Sequence, residues 1–305
     1  MIEIIPHGTI IDFLKYRRVT AIVSIVLIVL GMAFVAIRGI NFGIDFAGGS
    51  LVHVRFAKET DTDAVRAAVS DSALASVDIQ KLGGGGDEYL VRVPGTSDGH
   101  EDVTKQITSN LATAFGADGV EILRVESVGP RVGESLRERA ILAVAFATLM
   151  MGIYIWARFE WRFGIGAGVA LAHDVLLTTA ALVVFGYEFD LTIVAALLSV
   201  VGYSVNDTVV ISDRIRENMA RDRRANMHEL VNRSINETLS RTILTTGTTL
   251  FVVLALYLLG GTVINGFAFT LLVGFIVGTY STVFIAGSVV LYFEERYPAA
   301  GRKVA

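Results

Sequence analysis

Two carboxylates, Asp174 and Asp207, stand inside long apolar runs. An ionised side chain at the centre of such a helix costs about 2.5–3.5 kcal/mol on insertion scales, so residues placed there usually face water or a bundle interior and have a task. Asp207 lies in Gly202-Tyr-Ser-Val-Asn-Asp-Thr208, where Ser204, Asn206 and Thr208 supply hydroxyl and amide groups that can hold water or hydrogen-bond a carboxyl. Arg241 opens a later apolar run from the same side of the membrane. If the two helices are neighbours, pairing favours the charged carboxylate and desolvation favours the neutral acid. A carboxyl balanced between these effects takes and releases a proton as the arginine approaches and withdraws. Thr242, Thr245, Thr246 and Thr249 form a polar stripe on the run that Arg241 opens, of the kind that lines a proton path. Asp174, beside His173, is a second polar centre. Plainer alternatives exist for each group: Arg241 snorkels to the interface, the threonines bond their own helix carbonyls, and the aspartates only hold helices together.

What else the chain could do is narrowed by what it lacks. The 305 residues contain no cysteine, which excludes disulfides, thiolate metal sites and cysteine nucleophiles. No G-x-x-x-x-G-K-[ST] and no H-E-x-x-H occurs, so no phosphate loop and no zinc site are expected. Any work the protein does must be driven by something other than its own nucleotide hydrolysis, so the chain is expected not to be an enzyme and to hold no metal or other cofactor.

Positioning these groups requires membrane helices. The chain is 53% hydrophobic and 18% charged, against about 25% charged residues in soluble domains. Its apolar residues gather in six segments, about 19–37, 140–157, 163–186, 190–211, 243–260 and 266–293, each long enough to cross a core about 30 Å thick. Lys and Arg number 3, 2, 7 and 3 in segments 1–18, 158–162, 212–242 and 294–305, and none falls in 187–189 or 261–265. Basic residues stay inside, so both termini are expected in the cytoplasm and residues 38–139 outside. The first span, preceded by Lys15, Arg17 and Arg18, reads as a retained anchor. Within 212–242, residues 223–240 carry Met227, Leu230, Val231, Ile235 and Leu239 on one helical face. They read as an amphipathic helix on the inner membrane surface, the alternative being a helix packed on the bundle. Arg214, Arg216 and Glu217 follow from topology, with a docking surface as the second reading.

The outer segment has its own pattern. Residues 39–137 hold 15 acidic and 9 basic side chains, which argues against nucleic acid as partner. Leu51–Phe56 alternates as a strand, 61–70 has helical spacing, and 77–82 and 89–93 are strands joined by the glycine-rich hairpin loop 83–87. Residues 100–115 form a second helix, and 120–128 close as a strand. The order βαββαβ predicts a ferredoxin-like α+β domain, with His53 as an ordinary surface residue. The fold class is therefore a polytopic α-helical membrane protein, with six transmembrane helices and one such domain, outside the membrane, between the first and second. Gly164-x-x-x-Gly168 and Gly274-x-x-x-Gly278 permit close helix packing.

Asn41-Phe-Gly-Ile-Asp-Phe-Ala-Gly-Gly-Ser50, Val128-Gly-Pro-Arg-Val-Gly133, His173-Asp174, Gly202 to Asn218 and Leu239 to Leu250 together resemble the SecD/SecF family of the bacterial Sec protein translocase, within the resistance–nodulation–division superfamily. The resemblance implies that Asp207 is the proton-carrying carboxylate and Arg241 its partner. It implies a subunit that uses the proton-motive force to promote polypeptide export across the bacterial cytoplasmic (inner) membrane, with its outer domain in the periplasm. It also implies partners: a SecD-like six-span subunit on a separate chain, the Sec channel complex, the translocating polypeptide and the lipid bilayer. Two other readings stay open, a small-molecule or lipid exporter of the same superfamily and a structural assembly factor.

Overall fold

The computed structural model describes residues 11–69, 77–82, 87–94, 100–116, 118–222, 224–261 and 263–297. The helices are α1 (Arg17–Arg38), α2 (Ile44–Ala47), α3 (Thr62–Val69), α4 (His100–Phe115), α5 (Pro130–Arg158), α6 (Trp161–Val184), α7 (Leu191–Arg221), α8 (Met227–Leu259), α9 (Asn265–Ser281) and α10 (Gly287–Arg296). The strands are β1 (Gly49–Phe56), β2 (Asp78–Leu82), β3 (Asp87–Pro94) and β4 (Val120–Val128). A π-helical turn, Thr282–Ala286, joins α9 to α10, so residues 265–296 form one span. Among the described residues six helical segments are long and apolar enough to cross a membrane. α6, α7 and the last span form the buried centre, while α1, α5 and α8 keep most of their surface outside it.

Local chemistry sets where these helices start. Pro130 occupies the first position of α5, where its missing N–H costs nothing. The carboxylate of Asp190 caps α7 by accepting from the Ile193 N–H at 2.8 Å, and the Asn226 side chain caps α8 by accepting from His228 N–H at 2.9 Å.

Residues 223–240 are not a separate surface helix. From 227 onward they are the first turns of α8, continuous with the span, and α7 likewise runs on to 221, while residue 223 lies outside the described residues. Leu230, Val231 and Ile235 are buried against Leu14, Ile215, Val290 and Leu291, because the bundle itself covers the apolar face. Asn232 is buried on that packed side. It accepts from Phe13 N–H at 2.9 Å and donates to Ile11 C=O at 3.0 Å, while Asn236 accepts from Ile11 N–H at 2.8 Å. These bonds fasten the segment before α1 onto α8, and Arg17 pairs with Glu295 at 3.2 Å at the same end of the bundle. Arg214 bonds Glu217 and Glu237, tying α7 to α8.

The sheet domain between α1 and α5 follows the βαββαβ chain order, in a four-stranded sheet ordered β2-β3-β1-β4 with every pair antiparallel. Val52, Val54, Phe56, Tyr89 and Val91 meet Val65, Val69, Ile107 and Leu111 in one buried core. The glycines of the hairpin loop 83–87 up to Gly86 lie outside the described residues, as do residues 1–10 and 298–305 of the termini. His53 is buried rather than on the surface, bonded to Glu88 Oε2 at 3.1 Å. The reason is that the second face of the sheet lies over the adjoining ends of the membrane helices. The two enclose a polar cleft of about 740 Å³ lined by His53, Arg92, Glu126 and Glu188. Arg92 on β3 pairs with Glu188 in the α6–α7 loop across this cleft.

The root of the domain is stitched to the bundle. Gly43 donates to Phe189 C=O at 2.8 Å, Phe189 donates to Asn41 C=O at 2.7 Å, and Leu191 N–H reaches the Asp45 carboxylate at 3.0 Å. Gly48 has φ +75°, and a Cβ there would stand 2.7 Å from Pro130 Cα, so only glycine fits where the chain enters β1 beside the start of α5.

Candidate functional site

Asp174 is fully buried at the centre of the bundle and bound by three helices. Ser204 of α7 donates to its Oδ2 at 2.6 Å and Ser281 of α9 donates to the same oxygen at 2.8 Å. Oδ1 meets His173 Nδ1 at 3.0 Å. His173 Nε2 then reaches Ser24 Oγ on α1 at 3.1 Å, and Ser24 reaches the Tyr280 hydroxyl at 3.1 Å. Four helices therefore meet at one hydrogen-bonded chain. Such a network in a dry interior holds its members in one geometry, because any unpaired member would carry a desolvation penalty.

Close approach of α7 and α9 makes this possible. A Cβ on Gly274 would lie 2.2 Å from Val200 Cγ2, and one on Gly278 would lie 3.2 Å from Ser204 Cβ. The Gly274-x-x-x-Gly278 pair thus packs onto α7 as expected and brings the Ser204 hydroxyl within reach of Asp174. Just beyond, Thr208 donates to Ser204 C=O at 3.0 Å and meets Thr282 Oγ1 at 3.2 Å. Thr282 opens the π-helical turn, a local widening that frequently marks functional positions in helices.

Asp207 sits one turn along α7, buried, and its Oδ2 has no hydrogen-bond partner among the described residues. The links Asn218–Ser234, Arg214–Glu237 and Tyr203–Thr246 set an antiparallel register of α7 on α8. That register puts Asp207 opposite the turn Arg241 to Leu244. Among the described residues no ion pair within 4.0 Å joins Arg241 to Asp207, and the Arg241 side chain lies on the exposed side of α8. Thr242 is the residue of that turn that points inward, 1% exposed, with its hydroxyl unpartnered among the described residues.

The remaining groups divide by helical rotation. Thr246 faces inward and meets Thr279 Oγ1 at 3.1 Å, with the Tyr203 hydroxyl at 3.4 Å. Thr245 instead donates to Arg241 C=O at 3.0 Å and Thr249 to Thr245 C=O at 2.8 Å, so these two follow the back-bonding alternative. Asn206 is exposed on the opposite side of α7 from the network. One residue along a helix turns the side chain by about 100°, which carries Asn206 away from Asp207. Ser24, Tyr280 and Ser281 join the network without having been expected from the sequence. Their signal is faint, because hydroxyl residues in spans ordinarily bond their own helix.

The family model for "Protein export membrane protein SecD/SecF, C-terminal" matches residues 107–296, and that for the "SecD/SecF GG Motif" matches residues 33–60. The chain belongs to the SecD/SecF family. Among relatives of this family, the "Protein translocase subunit SecF" of Desulfurispirillum indicum is 44% identical over 94% of this chain and 93% of its own length. That of Magnetococcus marinus is 44% identical over 99% of this chain and 97% of its own. The crystal structure of SecDF from Thermus thermophilus, described as a translocon-associated membrane protein, superposes with a TM-score of 0.83 at 35% identity over 95% of this chain. The chain spans 39% of that SecDF chain. A SecDF structure in a super-membrane-facing form gives a TM-score of 0.70 at 36% identity, over 97% of this chain and 40% of the other. The segments that resemble SecD/SecF in sequence are the ones that build the root of the sheet domain and the polar centre of the bundle.

Proposed function

We propose that this SecD/SecF family member is a subunit of the Sec export machinery in which Asp207 carries protons across the bundle. The observation that carries the reading is the buried Asp207 carboxylate with an unpartnered oxygen, placed at the level of Arg241. Buried polar atoms are ordinarily bonded, and a carboxyl that alternates between a proton and an arginine partner accounts for one that is not. Arg241 moves toward Asp207 in the charged half of the cycle. Ser204 and Thr208 transmit the change along α7 to the Asp174 network, and Thr246 lines the approach from α8. One proton falling through 100 mV releases about 2.3 kcal/mol, enough to bias a two-state movement about fiftyfold.

The chain is a multi-pass protein of the bacterial inner membrane with both termini cytoplasmic and residues 38–139 periplasmic, as its basic residues indicate. It carries one six-span half, so a SecD-like six-span subunit completes the transporter. Together they act with the Sec channel on the emerging polypeptide, driven by protons and without another cofactor. The test is export of a reporter precursor in cells carrying Asp207→Asn, with membrane level and recovery of the SecD-like partner measured alongside. The expected result is lost export at unchanged level and association. Normal export would make the polar groups purely structural.

A further inference from the structure

Between α5 and α6 the bundle carries an apolar groove of about 840 Å³ that opens to its periphery. Gly152, Gly164 and Gly168 form part of its floor. Gly164 is there because a Cβ would strike Trp156, whereas a Cβ on Gly168 would meet nothing within 4 Å. The packing that explains Gly164 therefore leaves Gly168 as open space. The groove runs from Arg137, at the end of the bundle that carries the sheet domain, to Trp156 and Trp161 at the other. Trp156 stands nineteen positions after Arg137 on α5, about 28 Å at about 1.5 Å per residue, close to the thickness of a hydrocarbon core. The two tryptophans of the chain both lie at its far end, at the level where indole rings settle in an interface.

Any acyl chain can lie against apolar walls. What makes this groove selective is Arg137. Its side chain is half-buried beside the groove mouth and held over the Phe42 ring at 5.3 Å. Glu134 and Glu138, the acids nearest to it in sequence, are exposed, and no ion pair joins either to Arg137 among the described residues. A cation fixed by an aromatic face at the end of an apolar trough lacks an anion, and a phosphate on a hydrocarbon tail supplies both parts.

We propose that the α5–α6 groove binds an anionic phospholipid of the leaflet next to the sheet domain, its phosphate on Arg137 and an acyl chain along Gly168 and Gly152. The site is separate from the Asp174 and Asp207 groups and does not depend on their role.

The test uses the full chain purified from membranes and incubated with phosphatidylglycerol or phosphatidylcholine of equal chain length, with bound lipid counted by native mass spectrometry. The wild type is expected to retain phosphatidylglycerol preferentially. Arg137→Gln should reduce that preference about fivefold, equivalent to about 1 kcal/mol for one basic group near a lipid surface. Arg139→Gln, an exposed arginine on the same helix, should leave it unchanged. Gly168→Leu should lower retention of both lipids. As this variant adds bulk to the bundle, a benzophenone amino acid at Leu149, which lines the groove, gives a second readout in native membranes with all partners present. Adducts of phospholipid mass support the site. Equal retention of the two lipids, equal effects of the two arginine variants, or polypeptide adducts at Leu149 overturn it, the last by making the groove a helix interface.

Discussion

A single methyl group added at Gly274 would have nowhere to go. Its Cβ would stand 2.2 Å from Val200 Cγ2, 2.8 Å from Cγ1 and 3.0 Å from Cβ. Val200 cannot turn aside, because a β-branched residue in a helix has one strongly preferred rotamer, and it is 1% exposed. The helices must separate instead, and overpacking of this kind costs about 1–3 kcal/mol. Val200→Ala alone removes two packed methyl groups, at about 0.8 kcal/mol each. With both changes together the new methyl meets only the alanine Cβ, at 3.0 Å, in place of the two methyl groups at 2.2 and 2.8 Å, so the double variant should be more stable than the sum of the single losses by about 1–2 kcal/mol. Gly247→Ala is the control: its Cβ meets nothing within 4 Å, and the better helix former should be neutral or gain up to about 1 kcal/mol. Unfolding midpoints in mixed micelles compare the four variants with the wild type. Separation of α7 from α9 also pulls apart Ser204 and Ser281, the two serines that share Asp174 Oδ2, so export should fall with Gly274→Ala and return in the double variant. Additivity within about 0.5 kcal/mol would refute the claim that this contact sets the distance between the helices.

Three further outcomes are expected. In the sheet domain a hydrogen bond from Arg55, followed by one from His53, holds the Glu88 carboxyl below its ordinary value of 4.5, against the opposing effect of burial. A carboxyl lowered in the folded state stabilises the fold above its unfolded pKa and ceases to as pH falls through the folded value. Protection factors of the β1 and β3 amides, corrected for the intrinsic exchange rate, should therefore fall as pH drops below that ordinary value, and Glu88→Gln should flatten that dependence. Glu188→Ala should loosen the sheet domain from the bundle, seen as faster exchange at 187–190 and in β3, at a cost of about 1 kcal/mol for a partly buried pair. Asn232→Ala removes an acceptor and a donor from the segment at 11–13 and should increase its proteolysis severalfold, without changing the far half of the bundle.

The spans were legible because uninterrupted apolar runs long enough to cross a bilayer are rare outside membranes. Their ends were not: α8 begins at 227 rather than 243 because its first four turns bury one face only, and a one-sided pattern is shared by surface and packed helices. In the outer domain alternation gave the strands, but it could not tell that the second face of β1 is also covered, since that cover comes from helix ends far away in sequence. Within the site, Asp174 and Asp207 stood out because charge in an apolar run is costly. Ser24 and Ser281 did not, because a serine in a span is ordinary until its partner, 107 residues away for Ser281, is placed beside it. Asn206 shows the converse error, since closeness in sequence to Asp207 implied a shared face that helical rotation denies.

The bonds between the segment at 11–13 and α8 bear on biogenesis. α1 leaves the ribosome long before Asn232 and Asn236 exist to hold its base, and its Ser24 contact with His173 must also wait for α6. With so little of its own surface covered, α1 enters the bilayer as a free-standing helix and is recruited to the bundle only as later helices arrive. A stalled or truncated translation product lacking α8 would expose an undocked α1, a recognisable mark for membrane quality control before any transport could be attempted.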